Sequence, residues 1–364
     1  MTIKIEMIEP SKTGYEHFFF ISSYLGALAN GTKNSDIQIS VSAHASIVKQ
    51  LREVGFSGVT FHEIKVVPAA LRRLVRKSVA EFYQVARLMF ARPRDTKILI
   101  TCMLPPALIL LEFLNIFLRH SHISVVLHGE IEHLLDSTPQ KFSSIYFWSR
   151  LWLKMRPAAS RVRLIVLDDF IVDSLLNCTK IAPAVIHHPI SVKSSMHDKS
   201  RKGVCFVGFN TAKKGFHEFE RLSQDVPELT FLAIGEGVVR DLRSGEAYKI
   251  LDNEHYLRAI GHCRFAVFPY TDGYSFTLSA AALDAVAAGT KILSLRLPFF
   301  EHLERTLGTE VIINFDSVDQ IKEFLKQDPC QVRYLDTSAM ATAVRKSCYS
   351  IDSVGESFLE YFHN

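Results

Sequence analysis

Three groups of residues in this sequence have the types and spacing to do chemistry. Lys214, in VGFNTAKKGF (Val207–Phe216), lies just past an apolar run that reads as a buried strand. An ammonium at a strand end can meet a diphosphate as a point charge. The plain alternative is a solvated pair with Lys213. A second group lies between Tyr256 and Pro298, which reads as helix, buried strand, polar loop, small-residue helix, Gly turn and strand. The small-residue helix opens at Ser279 with Ala280, Ala281 and Ala282. Small side chains leave the first backbone N–H groups open to a phosphate, and the helix dipole adds attraction. The same alanines would also suit close helix–sheet packing. The third group centres on His128, which ends VVLH and precedes Gly129. At a sheet's carboxyl edge its imidazole could hydrogen-bond a substrate or transition state. A lone histidine there also serves as an ordinary polar packing residue.

These groups need a scaffold, and the rest of the chain describes one. Short β-branched runs alternate with amphipathic stretches, the pattern of a doubly wound α/β sheet. Strands are expected at Ile3–Met7, Ile37–Val41, Ile98–Thr101, Ile123–Leu127 and Leu164–Leu167. Helices are expected at Tyr15–Asn30, Ala45–Val54, Leu71–Ala91, Ala107–Arg119 and Phe147–Lys154. After AVIHHPI (Ala184–Ile190) a Ser/Lys-rich stretch reads as a linker. The rhythm then restarts, with strands at Val204–Gly208, Leu229–Gly235, Phe265–Tyr270, Lys291–Leu295 and Val311–Phe315. Helices at Phe216–Ser223, Asp252–Gly261, Ser279–Ala288 and Val318–Lys326 separate them. The fold class expected is α/β, with two Rossmann-like domains facing each other across a cleft. The boundaries are 1–190, a linker 191–203, a second domain 204–340 and a helical segment 341–364, which would pack back on the first domain.

Composition narrows the possibilities further. A chain of 364 residues, 48% hydrophobic and 22% charged, is globular rather than disordered and long enough for two domains. Residues 1–190 carry 22 Lys and Arg against 15 Asp and Glu, while the remainder carries 20 against 23. A basic half beside a mildly acidic half implies different partners. The six cysteines include no CxxC-type spacing, so neither a zinc site nor a disulfide framework is indicated. The histidines His120, His122, His133, His187 and His188 form no convincing ligand set, and no essential metal or cofactor is expected. The start of the sequence shows no signal-peptide pattern, and no apolar run is long enough to span a bilayer.

Several segments, in order, resemble the GT-B glycosyltransferases, most closely family 4 and its relatives. FPY (Phe268–Tyr270), DAVAAG (Asp284–Gly289) and TKILSL (Thr290–Leu295) resemble the strand, helix and PVI-type strand of the nucleotide-sugar half. VGFNTAKKGFHEF (Val207–Phe219) resembles the family's VGR…KG segment, AIGEG (Ala233–Gly237) its IGxG turn, and VIHHPI its interdomain strand. SKTGYEHF (Ser11–Phe18) resembles the Gly-containing loop of the first domain, and VVLHGE (Val125–Glu130) the strand ending in the active-site His.

The resemblance implies a sugar transfer from a nucleotide diphosphate donor, held by the second domain, to an acceptor hydroxyl at the first. Lys214 would contact the donor phosphates, beside Gly208, Gly235, Tyr270, Ser279 and Ala280. Asp272, Tyr274, Ser275 and Thr277 are polar loop candidates for the donor. The family's paired glutamates are not intact, for the second falls on Asp284 and the first on Phe276. The Arg that usually precedes the Lys is also missing, because Phe209 follows Gly208. His128 would act in catalysis, with Glu130 or Glu132 as a base if the configuration inverts. Gly14, Tyr15, Glu16 and His17 would face the acceptor. Asp168-Asp169 resembles a metal-binding pair of a different fold, and helix N-capping explains it better. Two rival readings are a non-catalytic nucleotide- or sugar-binding protein and a nucleotide-sugar epimerase.

Residues 65–97 hold nine Lys or Arg against Glu81 and Asp95, interleaved with apolar and aromatic residues. Such a segment suits an anionic membrane surface, here through Arg72, Arg73, Arg76 and Lys77, unless its basic face is merely solvated. WSRLWLKMRP (Trp148–Pro157) repeats the mixture. The expected setting is cytoplasmic, on the inner face of a membrane, with a lipid-linked saccharide of a bacterial surface polysaccharide as acceptor. No nucleic-acid motif accompanies the charge.

Overall fold

Short apolar runs with little alternation make strands that must be covered on both faces, and this chain builds two sheets from them. The computed structural model describes residues 2–13, 15–33, 35–67, 74–118, 122–132, 134, 141, 144–156, 160–192, 201, 203–235, 237–271, 276–327 and 337–363. The chain divides into one unit of Met1–Pro189 with Ile351–Asn364 and another of Ile190–Ser350.

In the first unit the elements run β1 (Ile3–Ile8), α1 (Tyr15–Gly31), β2 (Ile37–His44), α2 (Ala45–Val54), β3 (Val59–Ile64), α3 (Leu74–Ala91) and β4 (Lys97–Ile100). They continue with α4 (Pro105–Leu118), β5 (Ile123–Val126), α5 (Ile145–Met155), β6 (Val162–Val166), α6 (Asp169–Thr179) and β7 (Ala184–Val185). All seven strands pair in parallel, in the order β3-β2-β1-β4-β5-β6-β7. Strand order reverses between β1 and β4, the kind of place where such sheets bind ligands beyond their carboxyl ends. β3 lies outside the strands expected from the sequence. Its VTFHEI is only partly buried, so no apolar run announces it.

The second unit contains β8 (Val204–Val207), α7 (Phe216–Asp225), β9 (Phe231–Gly235), β10 (Val238–Asp241), β11 (Ala247–Lys249), α8 (Asn253–Gly261) and β12 (Phe265–Phe268). It continues with α9 (Ala280–Ala287), β13 (Lys291–Leu295), α10 (Pro298–Leu307), β14 (Ile312–Phe315), α11 (Val318–Lys326) and α12 (Thr337–Arg345). The order is β11-β10-β9-β8-β12-β13-β14, parallel except for the antiparallel β9-β10-β11 edge. That edge hairpin and α10 also escaped the sequence reading, although Pro298 opens α10 and Gly308 follows its end. Arg201, within the expected linker, is buried and donates to the Gly289 and Ala288 carbonyls at the end of α9.

The last helix, α13 (Ile351–His363), belongs to the first unit and packs along α1. Two glycines make this approach possible. A Cβ on Gly355 would lie 2.7 Å from the Ala27 carbonyl oxygen, and one on Gly31 would lie 2.5 Å from the Gly355 carbonyl oxygen. The contact is extended by the Tyr24 and Phe358 rings, 4.9 Å apart, and by a 2.8 Å hydrogen bond between Tyr361 Oη and Ser124 Oγ.

One expectation for the basic helix needs correction. Lys77 is buried in the first unit, 3.8 Å from Glu81, so it is not presented to a membrane. A helix's surface face is set by what packs on it, which the charge count does not include. Arg76 is exposed on α3 beside Val75 and Val79, while Arg72 and Arg73 lie outside the described residues. No helix among the described residues is long and apolar enough to cross a membrane.

Candidate functional site

The second sheet reverses its strand order between β8 and β12. At the carboxyl end of β8, Gly208 has φ +114° and donates its N–H to the Ile234 carbonyl at 2.8 Å. Gly235, ending β9, has its Cα against this backbone, and a Cβ there would lie 2.1 Å from the Gly208 carbonyl oxygen. A Cβ on Gly208 would lie 2.8 Å from Lys214 Nζ. The lysine head therefore lies over the bare α-carbon of Gly208. Lys214 ends a single 3-10 turn (Ala212–Lys214) that Gly215 closes in the left-handed region. Beyond β12, Thr271 donates its N–H at 3.2 Å and its hydroxyl at 3.1 Å to the Lys213 carbonyl, tying the two strand ends together.

The ammonium of Lys214 lies 5.7 Å from the centroid of the Tyr270 ring, a cation–π geometry. Burial lowers its pKa, opposed by the negative charge of Asp284. Asp284, one turn into α9, is itself pushed up to about 7 by burial, against a 3.1 Å hydrogen bond from Tyr256 Oη and the charge of Lys214. At neutral pH the carboxyl is thus only partly ionised, so it cancels only part of the ammonium's positive field. Ser279 caps α9, accepting from the Ala282 N–H at 3.4 Å and sharing a 3.2 Å hydrogen bond with Tyr270 Oη. The cap satisfies Ala282 and leaves the first-turn amides of Ala280 and Ala281 at an open helix start.

The structure therefore brings Gly208, Lys214, Gly235, Tyr270, Ser279, Ala280 and Asp284 to one edge. Thr277 is half-buried just before the cap. Asp272, Tyr274 and Ser275 lie outside the described residues. Phe276, where a carboxylate would stand in family 4, is buried at 1% exposure as part of the core.

In the first unit the carboxyl ends of β1, β4, β5 and β7 carry a second polar group. His128, following β5, is half-buried, and its Nε2–H donates to the Thr101 carbonyl at 2.7 Å. Burial, reinforced by the His17 charge, lowers its pKa to about 3 despite that hydrogen bond. His188, after β7, is lowered to about 4, mainly by burial. Both imidazoles are neutral and weakly basic. His17, at the start of α1, sits 5.0 Å from His128 between ring centroids and 2.6 Å from Glu9 through Nδ1. Gly14 lies outside the described residues, as do the side chains of Tyr15, Glu16 and Glu130.

Glu9, Thr101, Glu81 and His188 are members of this edge that the sequence reading missed. Glu9 follows β1 directly, and a charged residue at the end of an apolar run was the available signal. Burial acts to raise its pKa, but His17 and hydrogen bonds from Thr101 and the Ser11 amide outweigh that and hold it below the ordinary value. The pair Asp168-Asp169 also differs from expectation. Asp168 starts α6 without a side-chain cap hydrogen bond, and Asp169 lies 3.1 Å from His187 Nε2.

Glu81, buried on α3, accepts from the Leu104 N–H at 2.8 Å and is raised to about 7 by burial. Its native form favours the proton, so this contribution to stability is complete below the ordinary value of 4.5 and disappears as pH rises to about 7. The full effect is up to about 3 kcal/mol. Glu81→Gln keeps the acceptor and removes the ionisation. Thermal midpoints at about pH 5 and about pH 8 should fall further for the wild type than for this variant. Equal falls would show that Glu81 ionises freely.

No family profile matches this chain, and no curated protein matches its sequence. Solved structures do match, 233 chains among them. Anabaena HepE in complex with UDP is 10% identical with a TM-score of 0.60, covering 99% of this chain and 100% of that one. WaaG, a glycosyltransferase involved in lipopolysaccharide biosynthesis, is 10% identical with a TM-score of 0.64, covering 98% and 99%. The trehalose-phosphate synthase of Burkholderia vietnamiensis is 13% identical with a TM-score of 0.58, covering 100% and 99%. At these identities the likeness establishes the fold, which is GT-B.

Proposed function

We propose that this GT-B chain is a glycosyltransferase that moves a sugar from a nucleotide diphosphate sugar to an acceptor hydroxyl. The observation that carries this reading is the cradle at the reversal point of the second sheet. There a lysine, two closely approaching glycines and a capped small-residue helix start converge on one spot. A diphosphate there would meet Lys214 and the Ala280 and Ala281 amides, so the leaving charge would be neutralised by protein groups without a metal. Uridine diphosphate sugars are the first donors to try, because HepE was solved with UDP and with UDP-glucose. On the acceptor side, His128 is suited to accept or donate a hydrogen bond rather than to carry charge.

The finer parts of the proposal are a lipid-linked saccharide acceptor and attachment to an anionic membrane surface. Exposed Arg76, Val75, Val79 and Tyr83 on α3 support the latter. One observation favours a rival, a nucleotide-binding protein without transfer: buried Phe276 occupies the place of a family carboxylate. A thermal-shift screen of nucleoside diphosphates, followed by donor turnover in tubes holding anionic vesicles with and without a lipid-linked saccharide, separates these readings. Acceptor-dependent nucleotide release, with protein sedimenting on the vesicles, is the expected result. Binding without release would select the rival, sugar isomerisation without transfer would select an epimerase, and protein left in the supernatant would remove the membrane part.

A further inference from the structure

The three strands at one edge of the first sheet carry a polar face. Residues paired across parallel strands point the same way. Glu6, Ser40 and Thr60 therefore form one row across β1, β2 and β3, with Ser42 and His62 in the next. The other face of these strands holds buried Ile5, Ile39 and Val41. A parallel sheet ordinarily presents apolar residues on both faces, so the polar face is an exception. A cavity of about 470 Å³ opens against it, at the amino ends of β1, β2 and β3 and the turn leading into β4. Glu9, Thr101 and His128 gather at the opposite, carboxyl end of the same sheet, so this is a separate place.

Glu6 lines the cavity and is fully buried. Its Oε1 accepts the Ser42 hydroxyl at 2.6 Å. Its Oε2 accepts the Ser40 hydroxyl and Arg92 Nε–H at 3.0 Å, with Arg92 Nη2 2.9 Å away. The carboxylate is thus filled by protein donors, and it fixes the guanidinium. Arg92 carries more N–H groups than Glu6 uses, and its Nη1 has no partner among the described residues. Thr96 is a second, independent sign of a ligand. It is 3% exposed, lines the cavity, and its Oγ1 is buried without a hydrogen-bond partner. Its N–H donates to the Pro93 carbonyl at 3.0 Å, so the turn holds it there. A buried unpaired hydroxyl is costly, and a ligand oxygen drawn against the turn would satisfy it. A merely solvated edge would need neither a buried, saturated carboxylate nor this orphan.

We infer that this cavity binds a small phosphate ester with a hydroxylated body, a ligand of the sugar phosphate class. The inference does not depend on the transferase reading. The groups left over decide the class. Because Glu6 is saturated, the lining offers mainly donors, with Arg92 and Lys4 for an anion. The side chains of Lys4, Gln38, Thr60 and His62 have no hydrogen-bond or ion-pair partner among the described residues. Gln38 and Thr60 suit the hydroxyls of a polyol, which they can both donate to and accept from. Arg92, planar and held by Glu6, suits a phosphate better than a flexible ammonium would. No aromatic ring besides that of His62 lines the cavity, so a nucleobase has no platform to stack on. The volume is more than a bare phosphate fills and lies within the usual range of small-molecule sites, about 300–1,000 Å³.

The test uses calorimetry on the full-length protein. Glucose 6-phosphate, glucosamine 6-phosphate and mannose 1-phosphate are the probes, beside glucose, inorganic phosphate and UDP. At least one sugar phosphate should bind, with glucose and inorganic phosphate about 10-fold weaker or silent. Lys4→Met combined with Thr96→Val should weaken that sugar phosphate at least about 10-fold, the effect of one hydrogen bond and one exposed charge. The same double variant should leave UDP affinity unchanged, and Lys214→Met should leave sugar phosphate affinity unchanged. Thr96→Val alone should not lower the thermal midpoint of the ligand-free protein, because the hydroxyl it removes is unpaired. Arg92→Lys keeps a charge beside Glu6 but loses the fork, and it too should weaken the sugar phosphate. Silence from all three sugar phosphates up to about 10 mM, or equal binding of glucose or inorganic phosphate, would overturn the assignment. So would unaltered affinity in the double variant, or loss of sugar phosphate binding in Lys214→Met.

Discussion

Lys214→Met should weaken binding of a nucleoside diphosphate about 10- to 100-fold, the equivalent of losing one charge-assisted hydrogen bond of about 1.5–3 kcal/mol. The methionine keeps the stem packed near Tyr270, so the change isolates the ammonium. Partial burial strengthens the expected effect, because a charge half removed from water is less screened. Asp284 does not cancel it, since a carboxyl raised to about 7 carries only part of its charge at neutral pH. Calorimetry with UDP measures the loss directly. Unchanged affinity would remove Lys214 from the phosphate site and leave the helix start of α9 to carry the anion alone.

Gly215→Ala should damage the same site by a route that has nothing to do with charge. Gly215 has φ +64°, and a Cβ there would lie 1.9 Å from the Pro269 carbonyl oxygen. The turn that presents Lys214 would have to move away from the end of β12. A left-handed conformation costs a non-glycine residue roughly 1–2 kcal/mol, and the steric contact adds more, for an expected total of about 2–4 kcal/mol. Gly237→Ala is the control. It has φ +76° with nothing within 4 Å of the added carbon, so it pays only the conformational cost. In a chain of two units these costs are compared as shifts in thermal midpoint rather than as two-state free energies. Equal midpoints for the two variants would refute the close approach. Weakened UDP binding in Gly215→Ala alone would link the turn to the ligand.

The sites were legible in the sequence to different degrees. Lys214, Ser279 and Ala280 stand next to long apolar runs, and the strand-then-turn order is enough to place them at a sheet edge. His128 is placed the same way, as a group able to hydrogen-bond a substrate or transition state. Burial and the Thr101 carbonyl make it a neutral, fixed hydrogen-bonding group. Glu81 stands in the sequence as a minority charge on a basic helix, yet it is buried, with Lys77 drawn in beside it. Glu9 carries only the faint signal of a charge at the end of an apolar run.

Local pattern by itself determined that this chain makes two α/β sheets, because the apolar runs that become β8, β12 and β13 can be buried only under helices on both faces. It determined too that a lysine and a capped small-residue helix follow the strands of the second sheet. Only the tertiary structure decided which side chains meet. Thr101 reaches Glu9 across 92 residues of sequence, and Tyr256 reaches Asp284 across 28. The physical reason is that these contacts depend on strand order, β1 beside β4 in the first sheet and β8 beside β12 in the second. Periodicity contains no record of strand order. The same holds for the protonation of His128, Glu81 and Asp284, since burial is the largest influence on each. Burial is a property of the packed chain.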